Sequence, residues 1–134
     1  MKIYVAGASK ELNMLASYVK KLREIGFTIT HDWTADMLQD IANGHESDKS
    51  LPQETKLKYA RLDYEGIQAC DTIWMLVPEN YSNGAWIELG MAIALEKHVV
   101  MSGSWQKSIF SELVSKRFET HEQAYLWLLE YSHE

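Results

Sequence analysis

Residues 63–103, DYEGIQACDTIWMLVPENYSNGAWIELGMAIALEKHVVMSG, decide how this chain folds. The run TIWMLV (72–77) is apolar at nearly every position, the pattern of a strand covered on both faces in a parallel sheet. From near Gly84, the residues Trp86, Ile87, Leu89, Met91, Ala92, Ile93, Ala94 and Leu95 run round the whole circumference of a helix, which therefore reads as buried. A second apolar strand, 98–101, follows, so the stretch forms one βαβ unit. Glu88 is the only charge in that helix before Glu96. An unpaired ionised carboxylate is costly to bury. Glu88 therefore sits either at a wet pocket mouth or among partners with a task; the macrodipole in the first turn or so of the helix helps keep it ionised, and an ionised carboxylate can be a nucleophile. The plainer reading is an acidic residue of an early helical turn.

Working outward, a helix over about 54–70 carries Tyr59, Ala60, Asp63, Gly66, Ile67 and Cys70 on one face and Lys58, Arg61, Glu65 and Gln68 on the other. Asp63 thus lies on the apolar stripe, either turned into a cavity or bonded to backbone at an element end. Upstream, KIYVA (2–6) is a strand that ends in Gly7-Ala8-Ser9. A helix follows, with Leu12, Leu15, Ala16, Val19 and Leu22 at helical spacing. Ser9 reads as its N-cap and Gly26 as its C′ residue; the turn also suits an anion, though it is neither a P-loop nor a GxGxxG.

FTITH (27–31) alternates as a second strand. The connection 32–53 that follows is expected to act as a lid or binding loop, with a turn or two of helix at 35–42. In it Trp33 reads equally as a platform for a planar base and as cover for a core edge. His31 and His45 have no metal-ligand spacing and read as ordinary polar residues. Beyond the second apolar strand, Ser102-Gly103-Ser104 offers small donors, 107–114 a short helix, and Arg117 and Phe118 a last edge strand. Thr120 and Gln123 form a capping box for a final helix. The expected architecture is α/β, doubly wound, with a flavodoxin-like, mostly parallel five-stranded sheet and helices on both faces.

A chain of 134 residues suits one domain, 1–134. A formal net charge of -6 argues against binding a nucleic acid polymer. Cys70 is the sole cysteine, which excludes a disulfide framework or thiolate metal cluster and fits a reducing compartment. The opening strand leaves no room for a signal peptide, and no apolar run is long enough to span a membrane. The expected location is cytoplasmic, with no metal and no cofactor.

Asp63-x-x-Gly66-Ile67-x-x-Cys70-Asp71, Pro78 and Gly84-x-x-x-Glu88-Leu89-Gly90-x-Ala92, together with Ile3-Tyr4-Val5-Ala6-Gly7, resemble the nucleoside 2-deoxyribosyltransferase family, including its nucleoside 5′-monophosphate N-glycosidase branch. The resemblance implies that Glu88 attacks the anomeric carbon, Asp63 handles protons or holds the leaving base, and Tyr4 steadies the nucleophile. It implies a substrate site drawn from Gly7, Ser9, Asp32, Trp33, Ser82, Asn83, Gly84 and Ser102, and a homodimer or higher homo-oligomer that completes the pocket. Six residues before the glutamate, members acting on free nucleosides tend to carry aspartate and monophosphate glycosidases serine; here it is Ser82. Two alternatives stand beside this reading: a non-catalytic nucleotide-sensing module, and a hydrolase of NAD-type signalling nucleotides.

Overall fold

The computed structural model describes residues 1–45, 51–80, 82–104 and 108–132. The chain runs through β1 (Lys2–Ala6), α1 (Leu12–Glu24), β2 (Thr28–Ile29), α2 (Trp33–Ala42), α3 (Gln53–Ala69), β3 (Thr72–Leu76), α4 (Asn83–Ala94), β4 (His98–Ser102), β5 (Lys116–Phe118) and α5 (His121–Tyr131). Strand alternation divides the interior in two. On β1, Tyr4 and Ala6 face one buried cluster while Ile3 and Val5 face the other. On β3, Ile73 and Met75 go with the first pair and Trp74 and Leu76 with the second. The first cluster is closed by α3 and α4, the second by α1 and α5. All five residues of β3 are buried, as expected of a central strand.

The sheet is parallel throughout, in the order β2-β1-β3-β4-β5. This is the doubly wound, flavodoxin-like arrangement that the sequence pattern requires. Its switch point lies between β1 and β3, where chain connections leave in opposite directions and open a crevice at the carboxyl ends of the strands. Among the described residues no helix is long and apolar enough to cross a membrane.

Several local expectations are corrected. Ser9 does not cap α1: a 3-10 turn, Ser9–Glu11, precedes the helix, so Ser9 lies inside that turn and Glu11 occupies the N-cap position. Gly26 does close α1, at φ 103°. The second strand shrinks to Thr28–Ile29. The following segment is more ordered than its composition suggested, because Asp32 caps α2 by accepting from the backbone N–H groups of Thr34 and Ala35. Residues 46–50 of that connection lie outside the described residues, as does position 107 of the expected helix 107–114, which is otherwise a 3-10 turn over Ile109–Leu113. The Thr120–Gln123 capping box is present, with both of its hydrogen bonds.

The apolar circumference of α4 is not buried all round. Ala85, Leu89 and Ala92 pack inward, but Ile87 is 58% exposed, because the sheet and α3 cover only part of the helix.

Gly66 sets how closely α3 approaches β1. A Cβ there would stand 2.7 Å from Cβ of His31 and 3.1 Å from the Tyr4 ring, and neither neighbour has a flexible end to move aside. Gly66→Ala gains about 1 kcal/mol of helix propensity but forces α3 off its neighbours, at a cost of about 1–3 kcal/mol. The expected net result is a lower melting temperature in thermal unfolding.

Candidate active site

Three side chains from three elements meet at the carboxyl end of the sheet. Tyr4, on the α3/α4 side of β1 and fully buried, donates its hydroxyl to Oε2 of Glu88. The same hydroxyl is within hydrogen-bonding reach of Asp63, and the Asp63 charge acts on Glu88 as well. Asp63 comes from the inner stripe of α3, one turn before Gly66. The close approach that Gly66 permits therefore brings the carboxylate of α3 to the tyrosine of β1.

Above them opens a cleft of about 390 Å³, with Gly7, Ser9, Trp33, Asp63, Ser82, Gly84 and Glu88 in its wall. That volume suits a small metabolite. Trp33, Met37, Leu51, Tyr59 and Ala60 give the cleft an apolar and aromatic lining; His31, Asp36 and Lys56 line it as well. Trp33 covers a core edge, its indole N–H donating to the Val5 carbonyl at 2.7 Å and its side chain packing on both cores, and it also lines the cleft.

A family model described as nucleoside 2-deoxyribosyltransferase matches residues 3–121. The chain belongs to this family. It is thereby an enzyme of glycosyl transfer at N-glycosidic bonds. Two solved structures share the fold. The CMP N-glycosidase BcmB of Clostridium botulinum is 17% identical, with a TM-score of 0.61 over 98% of this chain and 99% of its own. The 2-deoxyribosyltransferase of Bacillus psychrosaccharolyticus is 20% identical, with a TM-score of 0.67 over 93% of this chain and 90% of its own. Among curated proteins none matches.

Three of the residues that the family resemblance suggested for substrate lie elsewhere. Asp32 is occupied as the α2 N-cap and pairs with Arg23 at 3.0 Å. Asn83 opens α4 and lines a separate groove on its outer side. Ser102 is fully buried on the opposite face of the sheet, where its Oγ accepts from Trp74 Nε1 at 2.9 Å and lies 2.7 Å from His121 Nδ1. Conversely, sequence reading took His31 for an ordinary polar residue and passed over Asp36 and Lys56, all three of which line the cleft. Lys56, Tyr59 or Ala60, and Asp63 recur at helical steps of three and four, and His31 ends the segment after β2 beside the switch point; those two signals were available.

Electrostatics also depart from expectation. Burial pushes the Glu88 carboxyl up to about 8, the Tyr4 hydrogen bond pulls it down in part, and the Asp63 charge pushes it up again. The macrodipole does not offset this rise, since Glu88 is the sixth residue of α4 and the helix field fades beyond the first turn. Tyr4 is raised further still, by burial first and then by the Glu88 and Asp63 charges, and so stays protonated as a donor.

This shift fixes a pH dependence. Unfolded, Glu88 ionises near its ordinary value of 4.5; folded, near about 8. Between these values the folded state binds more protons, so the Glu88 contribution to stability declines as pH rises and levels off above about 8. Glu88→Gln keeps an acceptor for Tyr4 without titrating. Its stability is expected to match wild type near pH 4.5 and to exceed it increasingly up to about pH 8, by on the order of a few kcal/mol at about 1.4 kcal/mol per unit, read as a rising difference in melting temperature.

Proposed function

We propose that this chain cleaves the N-glycosidic bond of a (deoxy)nucleoside or its 5′-monophosphate through Glu88 as nucleophile, and passes the sugar to water or to another base. The observation that carries this reading is that Tyr4, Asp63 and Glu88 meet at one cleft. Two carboxyl groups that feel each other's charge behave as a pair sharing a proton. In the productive form that proton is on Asp63 and Glu88 is the carboxylate. Glu88 forms a bond to C1′ while the C1′–N bond breaks, its electron pair going to the base and the proton of Asp63 to a base nitrogen. Water or an incoming base then attacks C1′ and gives its proton to Asp63, and the ester to Glu88 breaks. An ionised carboxylate beneath the sugar also stabilises the oxocarbenium-like charge that develops on the way.

The apolar wall of Trp33, Met37, Leu51 and Tyr59 offers the base a stacking surface. Ser9, Ser82 and Gly84 provide the opposite end, beside the N-terminus of α4, for the sugar 5′ position and its phosphate. The Ser82 hydroxyl does not cap α4 and is available for this. Incubation with a panel of nucleosides and nucleotides, with and without acceptor bases, tests the reading by chromatography of the products. Free base or an exchanged nucleoside is expected with wild type and is expected to fall by about 10³-fold or more in Glu88→Gln. Undiminished turnover by that variant overturns the proposal.

The same reading includes a homodimer. The exposed side of α4 continues into the 3-10 turn, where Ile87, Phe110 and Leu113 are 58%, 57% and 61% exposed and line one apolar groove. Ser82 lines both that groove and the cleft, so a second copy docked there stands at the cleft mouth. Sedimentation is expected to give a dimer that Ile87→Lys with Phe110→Ser dissociates; a wild-type monomer at millimolar concentration overturns it.

A further inference from the structure

Within the reaction proposed above, anionic charge has to migrate. Before the glycosidic bond breaks the carboxylate is Glu88; once Glu88 is esterified and Asp63 has given its proton to the base, the carboxylate is Asp63. The side of the cleft that receives this charge carries His31, a residue the roles assigned so far do not use. Its Nε2 lies 3.5 Å from Oδ1 of Asp63 and 3.3 Å from Oδ2 of Asp36. At 3.5 Å the contact with Asp63 is an ion-pair distance, one short shift from a hydrogen bond; Nε2 and the Asp63 Oδ1 are both shut off from solvent, where a charge-assisted hydrogen bond is strongest. The Asp36 pairing is half-exposed and contributes little by itself.

The backbone holds this arrangement from two sides. Thr30 Oγ1 donates to the Gly66 carbonyl at 2.6 Å, fastening the segment before His31 to α3. Gly66, with no side chain, leaves the room in which Cβ of His31 sits. His31 therefore approaches Asp63 along a path that α3 was left bare to accommodate.

We propose that His31 is a positioning residue for the proton chemistry of Asp63: its Nε2–H steadies the Asp63 carboxylate that forms as the base departs, while Asp36 accepts from the same N–H and keeps the ring turned inward. The imidazole neither gains nor loses a proton in the cycle. The proton on the base comes from Asp63 and is returned by the water or base that attacks C1′. A side-chain amide that places an N–H at the same reach therefore replaces His31 in part, and an aliphatic side chain does not.

The test rests on the proposed activity and separates the two. Wild type, His31→Leu and His31→Gln are each given a nucleoside or nucleotide that wild type cleaves and the corresponding 4-nitrophenyl glycoside, whose nitrophenolate leaves without a proton. Melting curves confirm that each variant is folded. On the natural substrate His31→Leu is expected to lose on the order of 10- to 100-fold in kcat, less than the loss of a donor that touches the reacting atoms. On the nitrophenyl substrate it is expected to lose no more than about threefold, because Asp63 then keeps its proton. His31→Gln is expected to recover part of the natural-substrate rate. An equal loss on both substrates, or no recovery in His31→Gln, overturns the inference and leaves His31 a packing residue while the proposed function stands. Absence of wild-type cleavage on every substrate overturns the proposed function and this inference with it.

Discussion

A carboxyl group placed inside an apolar helix has to be answered by donors from neighbouring elements, and among the described residues Glu88 is answered by the hydroxyl of Tyr4. Everything near the cleft follows from keeping that bond. Tyr4 must fall on the α3/α4 side of β1, which the alternation of Ile3, Tyr4, Val5 and Ala6 ensures. β1 must sit beside β3, from whose carboxyl end α4 is launched. α3 must come close enough for Asp63 to share the tyrosine, which requires a position without a side chain at Gly66. Burial pushes the Glu88 carboxyl up and the Asp63 charge adds to the push, so the two acids are electrostatically coupled across the tyrosine.

How much of this the sequence disclosed depended on which periodicity was being read. The inward turn of Asp63 was legible, because a helix of seventeen residues repeats its face often enough to expose one acid out of place. The parallel, doubly wound sheet was legible from the uninterrupted apolar strand at 72–77. Ser102 was misassigned although strand parity held the answer: Val99 and Met101 belong to the α3/α4 cluster and Val100 to the other, so Ser102 had to point away from the cleft. Asp32 was misassigned because α2 begins earlier than its composition suggests, and a residue just ahead of a helix is used by the backbone. The exposed side of α4 could not be read at all. An apolar helix surface has one sequence signature whether the sheet covers it or a separate chain does.

The two faces of the sheet divide the work. On the α1/α5 side, Ser102, Trp74 and His121 form a closed hydrogen-bonded set, and Tyr18 packs edge-on against Trp74 with ring centroids 5.0 Å apart. No polar group of this set reaches the cleft wall. On the α3/α4 side Asp63 and Glu88 instead line the cleft. β1 and β3 form the floor between these two faces, with the loop after β1 and the start of α4 at the carboxyl edge, where they line the cleft. Glu11 adds to this by accepting from the Glu79 N–H at 3.1 Å, which ties the loop leaving β1 to the one leaving β3 across the seam.

The pairing of Ile3 with Thr72 joins positions far apart in the chain. During synthesis the first strand emerges long before its central neighbour exists, and closing so wide a loop is an entropic toll met late in folding. Only afterwards can a tyrosine near the amino terminus find a glutamate still further along. Assembly of the cleft is thus tied to completion of the sheet, and a half-made chain lacks the contact of Tyr4 with Glu88 altogether.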